Sequence, residues 1–487
     1  MKNKYNNILK ATSLLGGVQG LNIVLNLVRT KIVAELIGPS GVGLNGIYNE
    51  TRELIHTTTN LGLDVSGVRD ISQAYERWSE SHAASDWEEV KTCVSVMRSW
   101  LLLLALFGMM VCMLFAIPLS WLTFDDYDHV WGYVMLSPAV AFSTMTCGEL
   151  AVLKSLRKLK KLAVVSVVNV ALGLVVSVPI FYFWGIDGVL PALVTLFGCI
   201  MLSTLAVGYH TMPLSLAYSK ERLGRGRTML TIGINFVVCS ILVHVVTVFI
   251  ISYLNRVSST HLVGLYNSAY TMTMTYAGTL FAAMEQDYFP RLTGVVHNVS
   301  ERTETLMRQH KVVQMLVAPM LAAFIVGLPV AVPLLLSDEF VDIVPMAQAT
   351  AVGLLFRAIY LPHSYLPLAA GHNRMFLFVN AVGALDMLLV IMGYQWGGLL
   401  GMGIALSVQN GIDMCLVLVV SRVKYGVRFT LREIAMMVCY FVMLLAVYAA
   451  CAMLNGWAYW AVGTLLTLAV TAVAYCDYKR GNVLCHE

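Results

Sequence analysis

Residues 98–122 read RSWLLLLALFGMMVCMLFAIPLSWL, an apolar segment without an acidic side chain. A helix rises about 1.5 Å per residue, so about 20 such residues cross the ~30 Å hydrocarbon core of a bilayer. The chain has 487 residues, of which 58% are hydrophobic and 12% are charged. Soluble domains carry about 25% charged residues. The segment therefore predicts a membrane-spanning helix, and the composition predicts a membrane protein.

Similar apolar blocks recur along the whole chain and predict about fourteen transmembrane helices in total. The others lie at about 10–37, 42–66, 130–153, 162–184, 188–209, 229–253, 262–284, 312–336, 344–370, 375–394, 399–421, 432–453 and 457–477. Their repetition is not the pattern of a single cleavable leader. The predicted fold class is an all-α polytopic membrane protein.

The basic residues lie almost entirely in alternate loops between these blocks. One set of loops, together with both termini, holds 27 of the 32 lysines and arginines. The opposite loops are short and acidic, with Asp125, Asp187 and Asp338 against a single arginine, Arg256. Short cytoplasmic loops of membrane proteins carry the positive excess. The pattern predicts that both termini are cytoplasmic.

Charge and motifs argue against several classes of function. The net charge of +4 is spread over many short loops, which reports topology rather than a nucleic-acid-binding face. The sequence contains neither a GxxxxGK[ST] phosphate loop nor an HExxH zinc motif, and its ten cysteines form no CxxC pair. We therefore predict a protein that is not an enzyme, holds no metal or cofactor and does not bind nucleic acid.

Two similar turns indicate an internal duplication. GIDGVLPA begins at Gly185 and GLLGMGIA begins at Gly398, so a GxxGxxxA pattern recurs after 213 residues. Val-Gly-Leu likewise recurs at 42–44 and 263–265. Transporters are often built from such repeats, and two six-helix repeats start on the same side of the membrane. The predicted organisation is an N-terminal six-helix lobe at 1–210, a C-terminal six-helix lobe at 211–428, and two additional helices with the tail at 429–487.

Polar side chains repeat on one helical face in each of the first two predicted spans. They are Gln19, Asn22, Asn26 and Arg29 in the first span, and Arg52, His56, Asn60 and Asp64 in the second. A basic side chain at the centre of a membrane helix costs about 2.5–3.5 kcal/mol, so such residues usually face a cavity or a partner. Arginine is also a good bidentate ligand for phosphate. The two faces predict a hydrated, cationic cleft.

The candidate site residues fall into two groups. The predicted substrate-binding side chains are Arg29, Arg52, Asn26, His56, Asn60, Asn267 and Arg357. The predicted candidates for coupling to a proton or sodium gradient are Asp64, Glu149 and Asp386. For each amide the alternative is a hydrogen bond between helices, worth about 0.6 kcal/mol in measured membrane proteins. For each acid the alternative is a local ion pair with a basic residue.

The motif GPSGVGL at residues 38–44, followed by NLGLDVSG at residues 60–67, resembles the Wzx-type polysaccharide flippases. These form the oligosaccharide branch of the multidrug/oligosaccharidyl-lipid/polysaccharide exporter superfamily, and the resemblance covers the whole chain. It implies an alternating-access carrier in a prokaryotic inner membrane. Such a carrier would move an undecaprenyl-pyrophosphate-linked oligosaccharide, such as an O-antigen unit, from the cytoplasmic to the outer leaflet. Its cationic central cavity would receive the pyrophosphate and the sugars. The implied partners are this lipid, membrane lipids, a polysaccharide polymerase and chain-length machinery.

Other functions of polytopic proteins remain alternatives. A cation-coupled multidrug antiporter needs a buried acid, and the first span offers no carboxylate before Glu35 near its outer end. A peptidoglycan-precursor (lipid II) flippase shares the cationic cavity, so the residues do not separate it from an oligosaccharide flippase. A membrane-embedded glycosyltransferase or polymerase usually carries its catalytic residues on large outer loops, which this sequence lacks.

Overall fold

The computed structural model describes residues 2–216, 220–296 and 298–483. Within these ranges the chain is helical, with short turns and no strand, which confirms the predicted all-α fold class. The earlier helices are α1 (Lys2–Asn60), α2 (Leu63–Ser81), α3 (Ala84–Leu114), α4 (Ala116–Phe124), α5 (Val130–Ser155), α6 (Leu159–Trp184), α7 (Val189–Thr211) and α8 (Lys220–Val257). The later helices are α9 (Thr260–Tyr270), α10 (Tyr276–Val295), α11 (Val299–Leu335), α12 (Val344–Ser364), α13 (Leu366–Ala369), α14 (Asn373–Asp386), α15 (Leu389–Tyr425), α16 (Leu431–Met453) and α17 (Gly456–Val483).

Nine helical stretches among the described residues are long and apolar enough to cross a membrane. Two of them, Leu159–Thr211 and Arg374–Tyr425, have 53 and 52 residues, so each has the length for two crossings. Large apolar side chains such as Trp131 and Phe183 are 75% and 76% exposed, which suits contact with lipid. The chain is a multi-pass membrane protein. The number of about fourteen helices and the location of both termini stay predictions.

The long helical stretches bend at glycines with a positive φ. Gly185 and Gly398, which begin the two similar turns of the sequence, have φ/ψ of 53/−131° and 57/−139°. Residues with a side chain rarely adopt this conformation, which explains a glycine at both positions. A third bend divides α1 at Gly38, where φ is 60°. Equal backbone geometry at positions 213 residues apart is what a duplicated turn requires.

The chain divides into two compact units, Met1–Gly264 and Leu265–Glu487. The first unit includes α8, because that helix packs on α1, α2, α3 and α4. This division differs from the predicted lobe boundary after residue 210. Contacts between helices do not test a repeat, so the predicted organisation stays a prediction, with lobes at 1–210 and 211–428 and two additional helices at 429–487.

Aromatic packing in the first unit holds the part of α1 that follows its bend. The Tyr48 ring is 5.3 Å from that of Tyr133 on α5, centroid to centroid, and both side chains are buried. The Tyr48 hydroxyl also lies 2.8 Å from Nδ1 of His129, in the turn before α5. Burial lowers the pKa of His129, against the opposing effect of Asp126 and Asp128. These contacts fix the register of α1 against α5.

The centre of the second unit is a close contact between α12 and α15. A Cβ at Gly353 would lie 2.4 Å from Cα of Ser407, and one at Gly403 would lie 2.4 Å from the carbonyl oxygen of Met346. Small residues let membrane helices approach at backbone distance. This contact holds α12, which carries Arg357 one turn after Gly353.

The predicted orientation can be tested at two exposed loop residues. Lys158 lies between α5 and α6, and Tyr127 lies between α4 and α5. In a cysteine-reduced background, we expect Tyr127→Cys to react with an impermeant maleimide in intact spheroplasts. Lys158→Cys should react only after the membrane is permeabilised, because the positive loops are predicted to be cytoplasmic. The opposite labelling pattern would show that the topology is inverted.

Candidate functional site in the first helical unit

Arg52 lies in α1 with its guanidinium held by four neighbours, and the residue is 4% exposed. Nη2 donates to Oε2 of Glu53 at 2.5 Å, and Nη1 donates to Oγ of Ser143 on α5 at 2.6 Å. Nε and Nη2 also donate to Oδ1 of Asn49, at 3.4 and 3.2 Å. The guanidinium carbon lies 4.0 Å from the ring centroid of Phe197 on α7. Arg52 is therefore a buried cation with a fixed position, and Glu53 is the carboxylate in direct contact with it.

Glu53 is shared between Arg52 and His56. Its Oε1 lies 3.4 Å from Nδ1 of His56, one turn further along α1, which is an ion-pair distance. Neither ring nitrogen of His56 makes a hydrogen bond of good geometry within the described part of the chain, and the Glu53 carboxylate is the acid beside the ring. The Glu53 side chain is 32% exposed, whereas those of Arg52 and His56 are 5% and 11% exposed. The carboxylate is the accessible member of the cluster.

Arg29 lies before the bend of α1 and faces α6. Its Nη2 donates to Oγ of Ser177 at 3.5 Å, and Gly173 makes room for the guanidinium, since a Cβ there would lie 3.2 Å from Nη1. Two turns earlier, Asn22 donates to Oγ of Ser166 on α6 at 2.7 Å. Asn26, between them, is half-buried. Within the described part of the chain, Arg29 forms no ion pair, which distinguishes it from Arg52.

Asn60 and Asp64 form a separate contact at the end of α1, where Nδ2 of Asn60 donates to Oδ1 of Asp64 at 2.9 Å. Leu61 and Gly62 have positive φ values of 51° and 65°, which ends the helix. The sequence predicts a second span that continues to residue 66, but α1 ends at Asn60. Asp64 lies in the first turn of α2, where a carboxylate also stabilises the helix dipole.

Glu149 forms a buried ion pair with Arg98. Its Oε1 and Oε2 accept hydrogen bonds from Nε and Nη2 of Arg98 at 2.6 and 2.8 Å, and the two residues are 3% and 5% exposed. Nη1 of Arg98 donates to the carbonyl oxygens of Met212 and Pro213 at 3.1 and 2.9 Å. The pair joins α3 and α5 to the end of α7. This geometry suits a structural role for Glu149 better than an exchangeable ion site.

The candidate residues of the second unit do not form a comparable cluster. Asn267 on α9 is half-buried, and its Nδ2 has no hydrogen-bond partner among the described residues. Nη1 of Arg357 lies 3.7 Å from Sδ of Met274, and its guanidinium carbon lies 6.0 Å from the ring centroid of Phe281. The side chain of Asp386 lies outside the described residues. Arg357 thus lies beside a thioether and an aromatic ring.

Two acidic residues of α1 lie outside the predicted site, although the sequence offers Glu53 as an alternative, structural partner of Arg52. Glu53 pairs with Arg52, and Oε2 of Glu50 lies 3.5 Å from Nδ1 of His244 on α8. Both acids belong to the run NETRE at residues 49–53, a polar interruption within an apolar block. That run was the available signal. The predicted polar face leaves it out, because that face follows only steps of four residues from Arg52.

Comparisons with known proteins identify the family and the fold. Residues 8–295 match the model of a family described as polysaccharide biosynthesis protein. A search of curated proteins gave no match. Among solved structures, the lipid II flippase MurJ in an inward closed conformation has a TM-score of 0.68 at 14% identity, covering 96% of this chain and 99% of that chain.

Two further solved structures show the same fold. An inward-facing multidrug resistance MATE family transporter of the MOP superfamily has a TM-score of 0.68 at 15% identity, covering 83% of this chain and 94% of that chain. A MOP superfamily transporter from Pyrococcus furiosus has a TM-score of 0.59 at 13% identity, covering 85% of this chain and 94% of that chain. The fold is therefore that of polytopic membrane transporters and flippases.

Proposed function

Since the chain belongs to the polysaccharide biosynthesis protein family, we propose that it is a Wzx-type flippase in a prokaryotic inner membrane. Its substrate is an oligosaccharide linked to undecaprenyl pyrophosphate, moved from the cytoplasmic to the outer leaflet by alternating access. The observation that carries this proposal is the presence of two largely buried arginines, Arg29 and Arg52, in α1, the helix that holds the first predicted span and most of the second.

A lipid-linked sugar needs a polar path across the bilayer. A hydroxyl group moved into hydrocarbon without a hydrogen bond costs several kcal/mol, and a charged pyrophosphate costs far more. A guanidinium binds a phosphate through two parallel hydrogen bonds, which supplies both charge and orientation. Arg52 is already oriented by Ser143, Asn49 and Phe197, so little side-chain freedom is lost on binding. The site therefore suits the pyrophosphate of the proposed substrate.

Arg29 is the second proposed ligand, because its charge is not compensated by an acid within the described part of the chain. Asn26, His56, Asn60, Asn267 and Arg357 remain proposed contacts of the head group. Asp64 and Asp386 remain proposed sites of coupling to a proton or sodium gradient, and moving one charge through 100 mV is worth ~2.3 kcal/mol. A polymerase and chain-length machinery are the proposed downstream partners.

Lipid II is the second candidate substrate. A lipid II flippase shares the fold over 96% of this chain, against 83% for the MATE transporter. Lipid II also carries an undecaprenyl pyrophosphate, so the arginines of α1 suit it as well. A drug antiporter is less well supported, because both acids near Arg52 are engaged with basic side chains.

Deletion of the gene in its native host tests the proposal and separates the two lipids. Undecaprenyl-pyrophosphate-linked repeat units should accumulate on the cytoplasmic leaflet, and surface polysaccharide should be lost. Expression of the intact chain should restore both. If lipid II accumulated instead and the cells lysed, the second candidate would be correct. Unchanged levels of both lipids would contradict either flippase function.

A further inference from the structure

The carboxylate of Glu53 occupies the position that a phosphate would take on Arg52. It accepts the shortest of the hydrogen bonds that this guanidinium donates, at 2.5 Å. Glu53 is 32% exposed and covers a guanidinium that is 5% exposed. An anion that approaches Arg52 from the exposed side therefore meets this carboxylate first, and has to replace it.

The surroundings of Arg52 allow such an exchange without moving the arginine. Ser143 and Asn49 accept hydrogen bonds from Nη1, Nη2 and Nε, and the Phe197 ring lies against the guanidinium. These contacts do not involve Glu53. The guanidinium has five N–H donors in a rigid plane, so its Nη2 edge stays in place when the carboxylate leaves.

A displaced Glu53 has an imidazole within reach, because its Oε1 lies 3.4 Å from Nδ1 of His56. Imidazole is the side chain whose ordinary charge change lies between pH 5 and 8. The other titratable groups that face the cluster are Glu50 on the same helix, which His244 of α8 contacts, and the thiol of Cys147 on α5. The facing side chain of α7 is the uncharged Phe197. His56 is therefore the group placed to compensate Glu53.

We propose that Glu53 is a resident counter-anion of Arg52, that the substrate phosphate displaces it, and that the Glu53–His56 pair takes up about one proton when this happens. The proton comes from water and binds an imidazole nitrogen of His56, so that Glu53 exchanges the guanidinium for an imidazolium. This inference rests on the proposed function. The exchange adds a proton site to the proposed flippase, and it makes binding of the substrate dependent on pH.

Calorimetry of the full-length protein in detergent micelles tests this exchange, with farnesyl pyrophosphate as a probe that carries a prenyl-linked pyrophosphate without the sugar. The binding heat should differ between buffers of unequal ionisation enthalpy, and the difference gives the number of protons taken up. For the wild type we expect about one proton near pH 7 and binding that weakens up to about tenfold per pH unit above pH 7. Farnesol, without the pyrophosphate, should not bind in this way.

Three variants assign the proton to the pair. Glu53→Gln removes the competing carboxylate, so at pH 8 it should bind the probe about tenfold more tightly than the wild type, without proton uptake. His56→Gln keeps the Arg52–Glu53 contact and should also bind without proton uptake. Glu50→Gln is the matched control, because Glu50 is 31% exposed, contacts His244 and acts on Arg52 only through its charge, without a hydrogen bond to the guanidinium. It should keep the proton uptake of the wild type.

The outcomes separate this inference from the function on which it rests. Pyrophosphate binding by the wild type with equal heats in all buffers would overturn the proton exchange and leave the flippase proposal standing. Proton uptake that is retained in Glu53→Gln and lost in Glu50→Gln would also overturn the proton exchange and leave the flippase proposal standing. A wild-type protein that binds no farnesyl pyrophosphate would overturn both. Monodisperse elution of each variant shows that it is folded.

Discussion

Replacing both Arg29 and Arg52 by alanine should stop export of the lipid-linked oligosaccharide while the protein remains in the membrane. A charge-assisted hydrogen bond is worth ~1.5–3 kcal/mol, so each single substitution should weaken substrate binding by roughly ten- to a hundredfold. Arg52→Lys keeps the charge but loses the bidentate geometry, so it should retain partial export. The measurement is accumulation of the lipid-linked unit on the cytoplasmic leaflet, together with protein abundance.

Lys31 supplies the matched control for this experiment. It is a cation on the same helix, 31% exposed, and it pairs with Glu35 one turn further at 2.8 Å. Lys31→Ala should leave export unchanged, because an exposed i,i+4 pair contributes little. Normal export by a well-expressed Arg29→Ala, Arg52→Ala protein would contradict the role of these arginines in binding the anion.

A structural role for Arg52 has a different signature. If the guanidinium served only to hold α1 against α5 and α7, Arg52→Ala should lower abundance and thermal stability. The double variant Arg52→Ala, Glu53→Gln should then recover them, because it also removes the carboxylate left without its cation. Loss of export with unchanged abundance in both variants supports anion binding instead.

The all-α membrane fold was predictable because its signal is long and redundant. A crossing needs about 20 apolar residues in succession, and segments such as 98–122 meet that condition without reference to the rest of the chain. Gly185 and Gly398 were predictable as a repeated pair for a similar reason, since a positive φ restricts the residue type. Local requirements of this kind leave a direct trace in the sequence.

Ion pairs between distant helices leave no such trace. Arg98 and Glu149 are 51 residues apart, and Arg98 is the first residue of the apolar segment that ends at residue 122. In the structure it is buried in α3. No periodicity predicts which acid on α5 meets it, because the answer depends on how α3, α5 and α7 pack.

The Arg52–Glu53 contact was only an alternative at the level of the sequence, for the opposite reason. Successive residues of a helix point about 100° apart, so the helical pattern groups Arg52 with His56 and Asn60 rather than with its neighbour. The long arginine side chain bends across that angle, and Nη2 reaches Oε2 of Glu53 at 2.5 Å. A pattern based on Cα positions misses contacts made by the ends of flexible side chains.

Removing the carboxylate of Glu149 should have the largest effect on stability in the first unit. Glu149→Ala leaves the Arg98 guanidinium buried without its acid, and breaking a buried ion pair in this way typically costs about 3–5 kcal/mol. We expect a clear fall in melting temperature in detergent and in membrane abundance. Glu76→Ala is the control, because Glu76 pairs with Arg157 where the two side chains are 55% and 63% exposed. It should change the free energy of unfolding by about 1 kcal/mol or less.

A double replacement distinguishes a structural tie from an ion-coupling site. Arg98→Met together with Glu149→Leu removes both charges and keeps the volume, and such exchanges of buried pairs are often neutral or stabilising. If the pair only joins α3, α5 and the end of α7, this variant should recover most of the lost stability and should still export the lipid-linked unit. A stable double variant whose export no longer depends on the ion gradient would show that Glu149 is a coupling residue. The bidentate geometry and the two carbonyl oxygens that accept from Nη1 of Arg98 favour the first result, because these contacts tie α3 to α5 and to the residues directly after α7.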